Sequence, residues 1–524
     1  MRRFRPRAAL VALSAMLLGV FGPQGVSATT FTLQPLVQVS GNSPIPAACI
    51  GDANAPSTSV NFYNTEVEPH VWVDPSNPNI LIGAWQQDRW NDGGARGDVT
   101  ATSLNGGATW TLNANTKSSL CTGGTAANGG GYERASDPWV AISPNGTAYL
   151  MSLSVDTNPG GFDIHPNAML VMRSTNHGAT WEDPVTLRRD DSQNVLNDKN
   201  TMTADPNDSS FVYAVWDRLA SPTSGNTSQA AFENSINFSG DIWFARTTDG
   251  GDTWEPARKI YKAGQVAQTI GNVIAVMPDD APGFDGELVD VFTQIRAFKN
   301  NQGSRGLFIA AIRSADNGAT WTQKESLVSR FFRGVVVDPD DGAPHRTGDI
   351  NPEVAVDMDT GRLYVVWQDS RFGPRSSIAM AWSDDAGATW SGPIKVNATP
   401  PADTGEPSGN TQAFDPMIAV ADDGTVSVFY YDFRNNTDDD GATTPTDAFV
   451  VHCHAATEDC TQPASWDEET TLTDASFDSR LAPVARGFFL GDYVGLGTDG
   501  TSFFPFFTMP HGGDKASVFV REVG

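Results

Sequence analysis

The chain is poor in cysteine and in basic residues, and both shortages limit what it can do. It has four cysteines in 524 residues, none at the C-x-x-C spacing typical of a zinc site. Lysine and arginine number 34 against 62 aspartates and glutamates, which gives a formal net charge of -28. Nucleic acids and anionic membrane surfaces would repel such a chain. We therefore expect neither of these partners, and no cofactor or catalytic metal.

Long apolar runs are missing after the first 28 residues. Residues 1–28 join a basic start, "MRRFRPR", to the apolar run "AALVALSAMLLGVFG" and the ending "GVSA". This pattern predicts a secretory signal peptide cleaved before Thr29. No later stretch reaches the roughly 18 apolar residues of a membrane span. We expect an exported, extracellular monomer with one domain over residues 29–524.

The four cysteines fit an exported chain, because disulfides form and persist outside the cytosol. The simplest pairing joins Cys453 to Cys460 across a short loop and Cys49 to Cys121. Two disulfides are therefore predicted.

One eight-residue phrase occurs five times, as "SLNGGATW", "STNHGATW", "TTDGGDTW", "SADNGATW" and "SDDAGATW". The copies start at residues 103, 174, 247, 314 and 383, a period of about 70 residues that indicates a repeated structural unit. In each copy, which we call the repeat turn, an Asp or Asn can accept bonds from backbone N–H groups. The Gly permits a positive φ, and the Trp packs inward. The phrase predicts a hairpin turn between the third and fourth strands of each unit.

An apolar alternating run such as "GLFIAAIR" precedes the repeat turn, a short strand such as "SLVSR" follows it, and two more apolar runs lie upstream. These flanks predict four antiparallel strands per unit, which is the blade of a β-propeller. A β-sandwich is the alternative for these apolar runs. We expect an all-β propeller of seven blades, or six if residues 264–300 or 436–475 are an insertion. The strand "FTLQPLVQV" near the N-terminus would complete the last blade, which otherwise lacks a fourth strand. First-strand signals lie near Pro69, Pro138, Met202, Ile274, Glu353, Pro416 and Tyr493.

Charged residues concentrate where first strands begin and second strands end, and a propeller brings these points to one face. Carboxylates and guanidinium groups would therefore ring one central opening. Aspartate and arginine recur together at the second-strand ends, so a lattice of ion pairs that only holds loops is an alternative to a catalytic site. The acidic loop "NNTDDDGATTPTD" is expected to be solvated, with structural calcium as an alternative.

The repeat turns resemble those of the sialidases and their relatives with Asp-box (BNR) repeats. The resemblance covers essentially the whole mature chain. It implies a glycosidase that uses a Tyr nucleophile assisted by a Glu, an Asp acid/base, and three Arg that hold the substrate carboxylate. Matching "DRW", "EVAVDMDTGRLYVVWQDSR" and "YVGLGTDG" to the family assigns catalytic roles to Asp88, Glu353 and Tyr493, and substrate-binding roles to Arg89, Arg371 and Arg434.

The chain departs from the family where Arg-Ile-Pro is expected, since it has Val67-Glu68-Pro69. A glutamate there would repel the carboxylate that the missing arginine would bind. Either another arginine takes this place or the substrate is not a sialoside. Trp90 is the aromatic residue expected to be exposed for stacking on a sugar.

Three hypotheses follow for the function. The first is an exported glycoside hydrolase of sialidase type, acting on a glycan. The second is a propeller without catalysis that binds glycan or protein at the cell surface. The third is a hydrolase or lyase acting on a polysaccharide without the arginine clamp.

Overall fold

The computed structural model describes residues 31–157, 164–220, 239–264, 267–279, 287–296, 306–399, 408–436 and 442–524. The predicted signal peptide and its cleavage point lie outside these residues, as do residues 437–441 of the acidic loop. The described chain is all-β, with four short 3-10 helices at Leu120–Thr122, Ser408–Thr411, Pro463–Ser465 and Ser479–Leu481. None of the described helices is long and apolar enough to span a membrane.

Strands make up most of the regular structure in both halves of the chain. The first half contains β1 Val37–Gln38, β2 Glu66–Val73, β3 Leu81–Arg89, β4 Ala95–Ser103, β5 Thr111–Asn113, β6 Arg134–Ile142, β7 Ala148–Thr157, β8 Ile164–Ser174, β9 Val185–Asp190, β10 Val195–Ala204, β11 Val212–Ala220, β12 Ser239–Thr247 and β13 Arg258–Tyr261. The second half contains β14 Ala267–Val276, β15 Leu288–Arg296, β16 Gly306–Ser314, β17 Ser326–Phe331, β18 Val336–Val337, β19 Pro344–Arg346, β20 Glu353–Val356, β21 Leu363–Asp369, β22 Ser377–Ser383, β23 Ser391–Lys395, β24 Ala413–Val420, β25 Thr425–Asp432, β26 Pro445–His454, β27 Glu468–Thr471, β28 Phe477–Asp478, β29 Phe488–Phe489, β30 Gly495–Thr498, β31 Phe503–His511 and β32 Asp514–Val520.

Antiparallel pairing groups these strands into sets of four. In chain order the sets are β2–β5, β6–β9, β10–β13, β14–β17, β20–β23, β24–β27, and β30–β32 with β1, and they are called the first to seventh sets. Second strands such as β21, "LYVVWQD", are buried along their whole length, because each sheet packs against a neighbour on both faces. Their continuous apolar sequence follows from that burial.

The N-terminal strand completes the last set, as predicted. Val37 of β1 pairs with Val520 of β32, and Gln38 pairs with Phe519. The first strands of successive sets contact one another in chain order, and β30 of the seventh set contacts β2 of the first. Each predicted first-strand position lies in or within two residues of an observed first strand.

The repeat turn has the predicted geometry. Oδ1 of Asp316 accepts the backbone N–H of Thr320 at 2.7 Å, and Oγ of Ser314 accepts the N–H of Gly318 at 2.8 Å. Gly318 has a φ of 79°, and the ring of Trp321 is buried. In the other four copies, the side-chain oxygen likewise accepts the backbone N–H of the residue four positions later. The accepting residues are Asn105, Asn176, Asp249 and Asp385.

Two disulfides and a small sheet join parts of the chain in addition to the strand pairing within the seven sets. Both predicted disulfides are present, Cys49 with Cys121 and Cys453 with Cys460. A three-stranded small sheet of β18, β19 and β29 joins the linker after the fourth set to the linker before the seventh, with β19 and β29 parallel. The small sheet was not predicted.

Candidate active site

The first strands share an irregularity that positions charged side chains. Pairing between first and second strands is interrupted by a two-residue bulge at the same place in the first, second, third, fourth and sixth sets. The first bulge residue is left-handed in every case: Glu68, Asp137, Lys199, Gly271 and Asp415 have φ between 48° and 70°. Such a conformation costs a non-glycine residue roughly 1–3 kcal/mol. Five of the seven first strands therefore share a left-handed residue at the same place.

Several bulge residues meet in a central cluster, which consists of Glu68, Asp137, Lys199, Arg346 and Asp492. Nζ of Lys199 lies 2.6 Å from Oδ2 of Asp492, and 3.6 Å from both Oε1 of Glu68 and Oδ2 of Asp137. Nε of Arg346, from β19 of the small sheet, donates to Oδ1 of Asp492 at 3.0 Å. The central cluster therefore joins the first, second and third sets and the linker before the seventh set to the small sheet.

Burial and the neighbouring charges shift the pKa values of the central cluster in opposite directions. Burial opposes the charge of Lys199, but the carboxylates of Asp137, Asp492 and Glu68 outweigh it and raise the pKa of Lys199. Burial also opposes the charge of Asp492, yet Arg346 and Lys199 hold the pKa of Asp492 well below its usual range. Burial raises the pKa of Glu68 to about 7 despite the proximity of Lys199. Glu68 can therefore exchange a proton near neutral pH.

A cavity of about 230 Å³ lies between the central cluster and the small sheet. Its volume is enough for roughly one sugar unit, below the ~300–1,000 Å³ of pockets for larger ligands. Arg333 projects into it with 49% of its side chain exposed, and its terminal nitrogen donates to Asp349 at 3.2 Å. Val335 offers an apolar surface, 68% exposed, at the rim. The cavity thus combines the cations of Lys199, Arg333 and Arg346 with three aspartates and an apolar edge; the aspartates are Asp198, Asp349 and Asp492.

Asp198 supplies the cavity with a titratable acid. The backbone N–H of Lys199 donates to its Oδ1 at 3.0 Å. Burial and the neighbouring Asp137 raise the pKa of Asp198 to about 6, a stronger effect than the lowering by Lys199. A carboxyl with a pKa in this range can act as a general acid near neutral pH.

Glu353 and Tyr493, expected as a catalytic pair, line a second cavity of about 20 Å³ beside Lys199. Burial raises the pKa of Glu353 to about 8, and burial together with Glu68 raises the pKa of Tyr493 well above its usual range. The Tyr493 hydroxyl donates to the carbonyl of Pro138 at 3.0 Å. Both side chains are thus mainly neutral near pH 7, whereas a Tyr nucleophile needs an ionised Glu to take its proton.

Asp88, expected as the acid/base, is fully buried with a φ of 61°. Its carboxylate accepts bonds from Arg96, Ser43 and the backbone of Asn64, each at 2.8 Å. These contacts hold the segment before β2 against the end of β3.

Trp90 is not an exposed stacking surface, so that expectation was wrong. The residue is only 6% exposed, and the guanidinium of Arg134 lies 4.5 Å from its ring centroid. The cation–π contact and the segment around it cover the ring that a sugar would need to reach.

The three predicted substrate arginines occupy two kinds of position. Arg89 is buried beside the central cluster, where burial and the neighbouring Arg346 lower its pKa to about 10. Arg371 pairs with Asp369 at 2.9 Å, and the Nε of Arg434 donates to Asp432 at 2.8 Å. The last two arginines therefore pair with the aspartate two residues earlier, as the ion-pair alternative anticipated.

Four residues at the cavity were not predicted from the sequence: Lys199, Asp198, Arg333 and Arg346. A signal was present, since three arginines fall within residues 330–346 of a chain with few basic residues. Nothing local indicated that β19 would carry Arg346 back to Asp492, because the parallel pairing of β19 with β29 joins segments about 140 residues apart.

Comparisons with known proteins found likeness only among solved structures. No protein-family model matches the chain, and no curated protein matches it. Polysaccharide lyase Uly1 is 13% identical, with 94% of this chain and 99% of that chain covered and a TM-score of 0.48. Hadza microbial sialidase Hz136 is 16% identical over 75% of this chain and 66% of its own, with a TM-score of 0.43. An α-L-arabinofuranosidase of Fusarium graminearum, in complex with arabinobiose, is 13% identical over 81% of this chain and 98% of its own, with a TM-score of 0.43.

Proposed function

We propose that this protein is an exported, seven-bladed β-propeller enzyme that cleaves a glycosidic bond at an acidic sugar. Seven sets of four strands in the described ranges, with first strands in cyclic contact, support the blade count. Two disulfides support export, because they persist in oxidising compartments.

The observation that carries the enzymatic proposal is the cavity of about 230 Å³ beside the central cluster. Arg333, Arg346 and Lys199 line it, in a chain whose overall charge repels anions. Such local cations are the means by which an acidic protein binds a carboxylate. A sialoside or a uronate-containing polysaccharide carries the required charge.

The catalytic steps use groups at this cavity and at the smaller cavity beside Lys199. Asp198, with its raised pKa, donates a proton to the leaving oxygen as the glycosidic bond breaks. Arg333 holds the sugar carboxylate, and Val335 packs against an apolar face of the ring.

In a mechanism of sialidase type, Tyr493 and Glu353 would act from the adjacent cavity of about 20 Å³, which substrate binding would have to open. Tyr493 would attack the anomeric carbon while Glu353, in its ionised form, takes the phenol proton. Water, losing a proton to the deprotonated Asp198, would then displace the sugar from Tyr493, and Glu353 would return the proton to the phenol oxygen.

A binding protein without catalysis is the second candidate, and one observation favours it. The cations of the cavity are already paired: Lys199 and Arg346 with Asp492, and Arg333 with Asp349. A substrate carboxylate would have to compete with these partners. This candidate predicts glycan binding without release of any product.

The test uses the purified mature protein with aryl sialosides, neutral aryl glycosides and uronate polysaccharides. Release of aglycone or reducing ends indicates hydrolysis, and a new ultraviolet-absorbing double bond indicates elimination. Asp198→Asn should reduce turnover by about 100-fold or more, whereas the exposed Asp359→Asn, a matched control in the β20–β21 turn, should leave it unchanged. Binding without turnover on every substrate would favour the second candidate, and equal turnover in both variants would exclude Asp198 as the acid.

A further inference from the structure

Two histidines and a glutamate meet on the outer strands of the sixth set. His452 and His454 are alternate residues of β26, so their side chains share one face of the sheet. The neighbouring strand β27 places Glu468 directly opposite His452. Strand pairing thus gathers three metal-binding side chains, although C-x-x-C spacing is absent.

The donor atoms are close enough to share one ion. Nε2 of His452 lies 2.7 Å from Oε2 of Glu468, and Nε2 of His454 lies 3.6 Å from the same oxygen. One ligand atom from each residue lies within 4.8 Å of the other two. In a tetrahedral zinc site with bonds of about 2.0–2.2 Å, ligand atoms are roughly 3.3 Å apart. Small rotations of the three side chains are therefore sufficient to form such a site.

The surroundings restrain the two imidazoles. Oγ1 of Thr425 lies 3.0 Å from Nδ1 of His454, a bond at the far ring nitrogen of the kind that orients metal-binding histidines. The ring of Phe31 stacks on His452 with centroids 3.6 Å apart. Between the two histidines, Cys453 forms its disulfide with Cys460 and fixes the end of β26.

We propose that His452, His454 and Glu468 form a zinc site. Two imidazole nitrogens and one carboxylate suit zinc and similar first-row ions, whereas calcium and magnesium prefer oxygen ligands throughout. Three protein ligands leave a fourth position for water or another donor. The site lies on the third and fourth strands of the sixth set, whereas the central cluster is built from first strands and the small sheet. It is therefore independent of the proposed enzymatic function.

The experiment is zinc titration of the full mature chain after treatment with a chelator. Calorimetry should show one zinc ion per chain, and cobalt should give the visible absorption of a tetrahedral site. His454→Ala and Glu468→Gln should each weaken zinc binding at least about tenfold, with circular dichroism to establish that both variants are folded. His177→Ala, which removes a partly exposed histidine in the second repeat turn, is the matched control and should bind as the wild type does.

Three results would overturn the proposal. The first is the absence of zinc binding by the wild type. The second is equal affinity in all three variants, which would place bound zinc elsewhere. The third is calcium binding in preference to zinc, which would contradict the donor chemistry.

Discussion

Lys199 holds the central cluster together through contacts with carboxylates of the first set, the second set and the linker before the seventh set. Its amine has little contact with solvent, since the side chain is only 11% exposed. Removal of one partner from a buried ion pair typically costs about 3–5 kcal/mol, because the remaining charge is left unpaired. Lys199 is thus required for the architecture of the site as well as for its charge.

Glu353 makes the folded state sensitive to pH. Burial raises its pKa from an ordinary 4.5 to about 8, so the folded state favours the protonated acid. The favourable contribution is complete below pH 4.5 and is lost as the pH rises towards 8. We expect Glu353→Gln to unfold like the wild type near about pH 5, and to be more stable by a few kcal/mol near about pH 9.

Urea unfolding at the two pH values measures this effect. The exposed Glu182→Gln is the control, and its stability should track that of the wild type at both pH values. A constant difference between Glu353→Gln and the wild type would show that Glu353 does not titrate as its burial implies.

The repeat turn is an element whose stability depends on one acceptor side chain. Asp316 accepts the backbone N–H and the hydroxyl of Thr320, both at 2.7 Å. Asp316→Ala should lower the free energy of unfolding by about 1–2 kcal/mol, because the turn N–H loses its acceptor. Asp316→Asn should cost less, since asparagine fills this position in two other copies, Asn105 and Asn176.

Chemical denaturation of the two variants beside the wild type tests this expectation. Equal losses for alanine and asparagine would mean that charge, and not the acceptor oxygen, stabilises the turn.

The first-strand bulges are harder to predict from the sequence than the repeat turn is. Glu68 and Asp137 precede prolines, which disfavour regular pairing, yet Lys199 does not. A lysine that adopts a left-handed conformation within a strand has no local sequence signature. Its conformation belongs to a bulge that recurs at the same place in five sets, and three carboxylates contact its amine there.

Closure of the molecule depends on a two-residue strand. β1 pairs with β32 and supplies the fourth strand of the seventh set, and the backbone of Thr32 also bonds to Gly524 in both directions. A chain beginning at Gly41 should unfold at a lower temperature and aggregate on heating, because β32 would become an unpaired edge. A chain beginning at Thr29 is the control.

Thermal unfolding and light scattering compare the two chains. The same melting temperature and scattering for both would show that β1 is dispensable for closure.

The net charge of the whole molecule is negative, whereas several cations lie around one cavity. The formal net charge of -28 repels anions from the surface. Lys199, Arg333 and Arg346 collect around one cavity in spite of that balance. The proposed binding of an acidic sugar therefore depends on where these few cations lie, and not on the total charge.

The sequence by itself determined the structural features that depend on residues close together along the chain. Asp316, Gly318 and Trp321 sit within one turn, so their roles follow from spacing of a few positions. The same holds for the alternation that predicted strands, and for the short Cys453–Cys460 loop. The unpaired last strand also implied closure by the N-terminus, since an exposed edge is unfavourable.

Only the tertiary structure decided which charged residues meet. Arg346 reaches Asp492 because two distant linkers pair as β19 and β29, and Lys199 reaches Glu68 because the bulges of the first and third sets converge on the central cluster. Arg371 and Arg434, by contrast, each make a local pair with the aspartate two residues earlier, at the end of the preceding strand. Electrostatic and hydrogen-bond contacts act over a few ångströms in space, and the chain's order alone does not specify which distant groups come within that range.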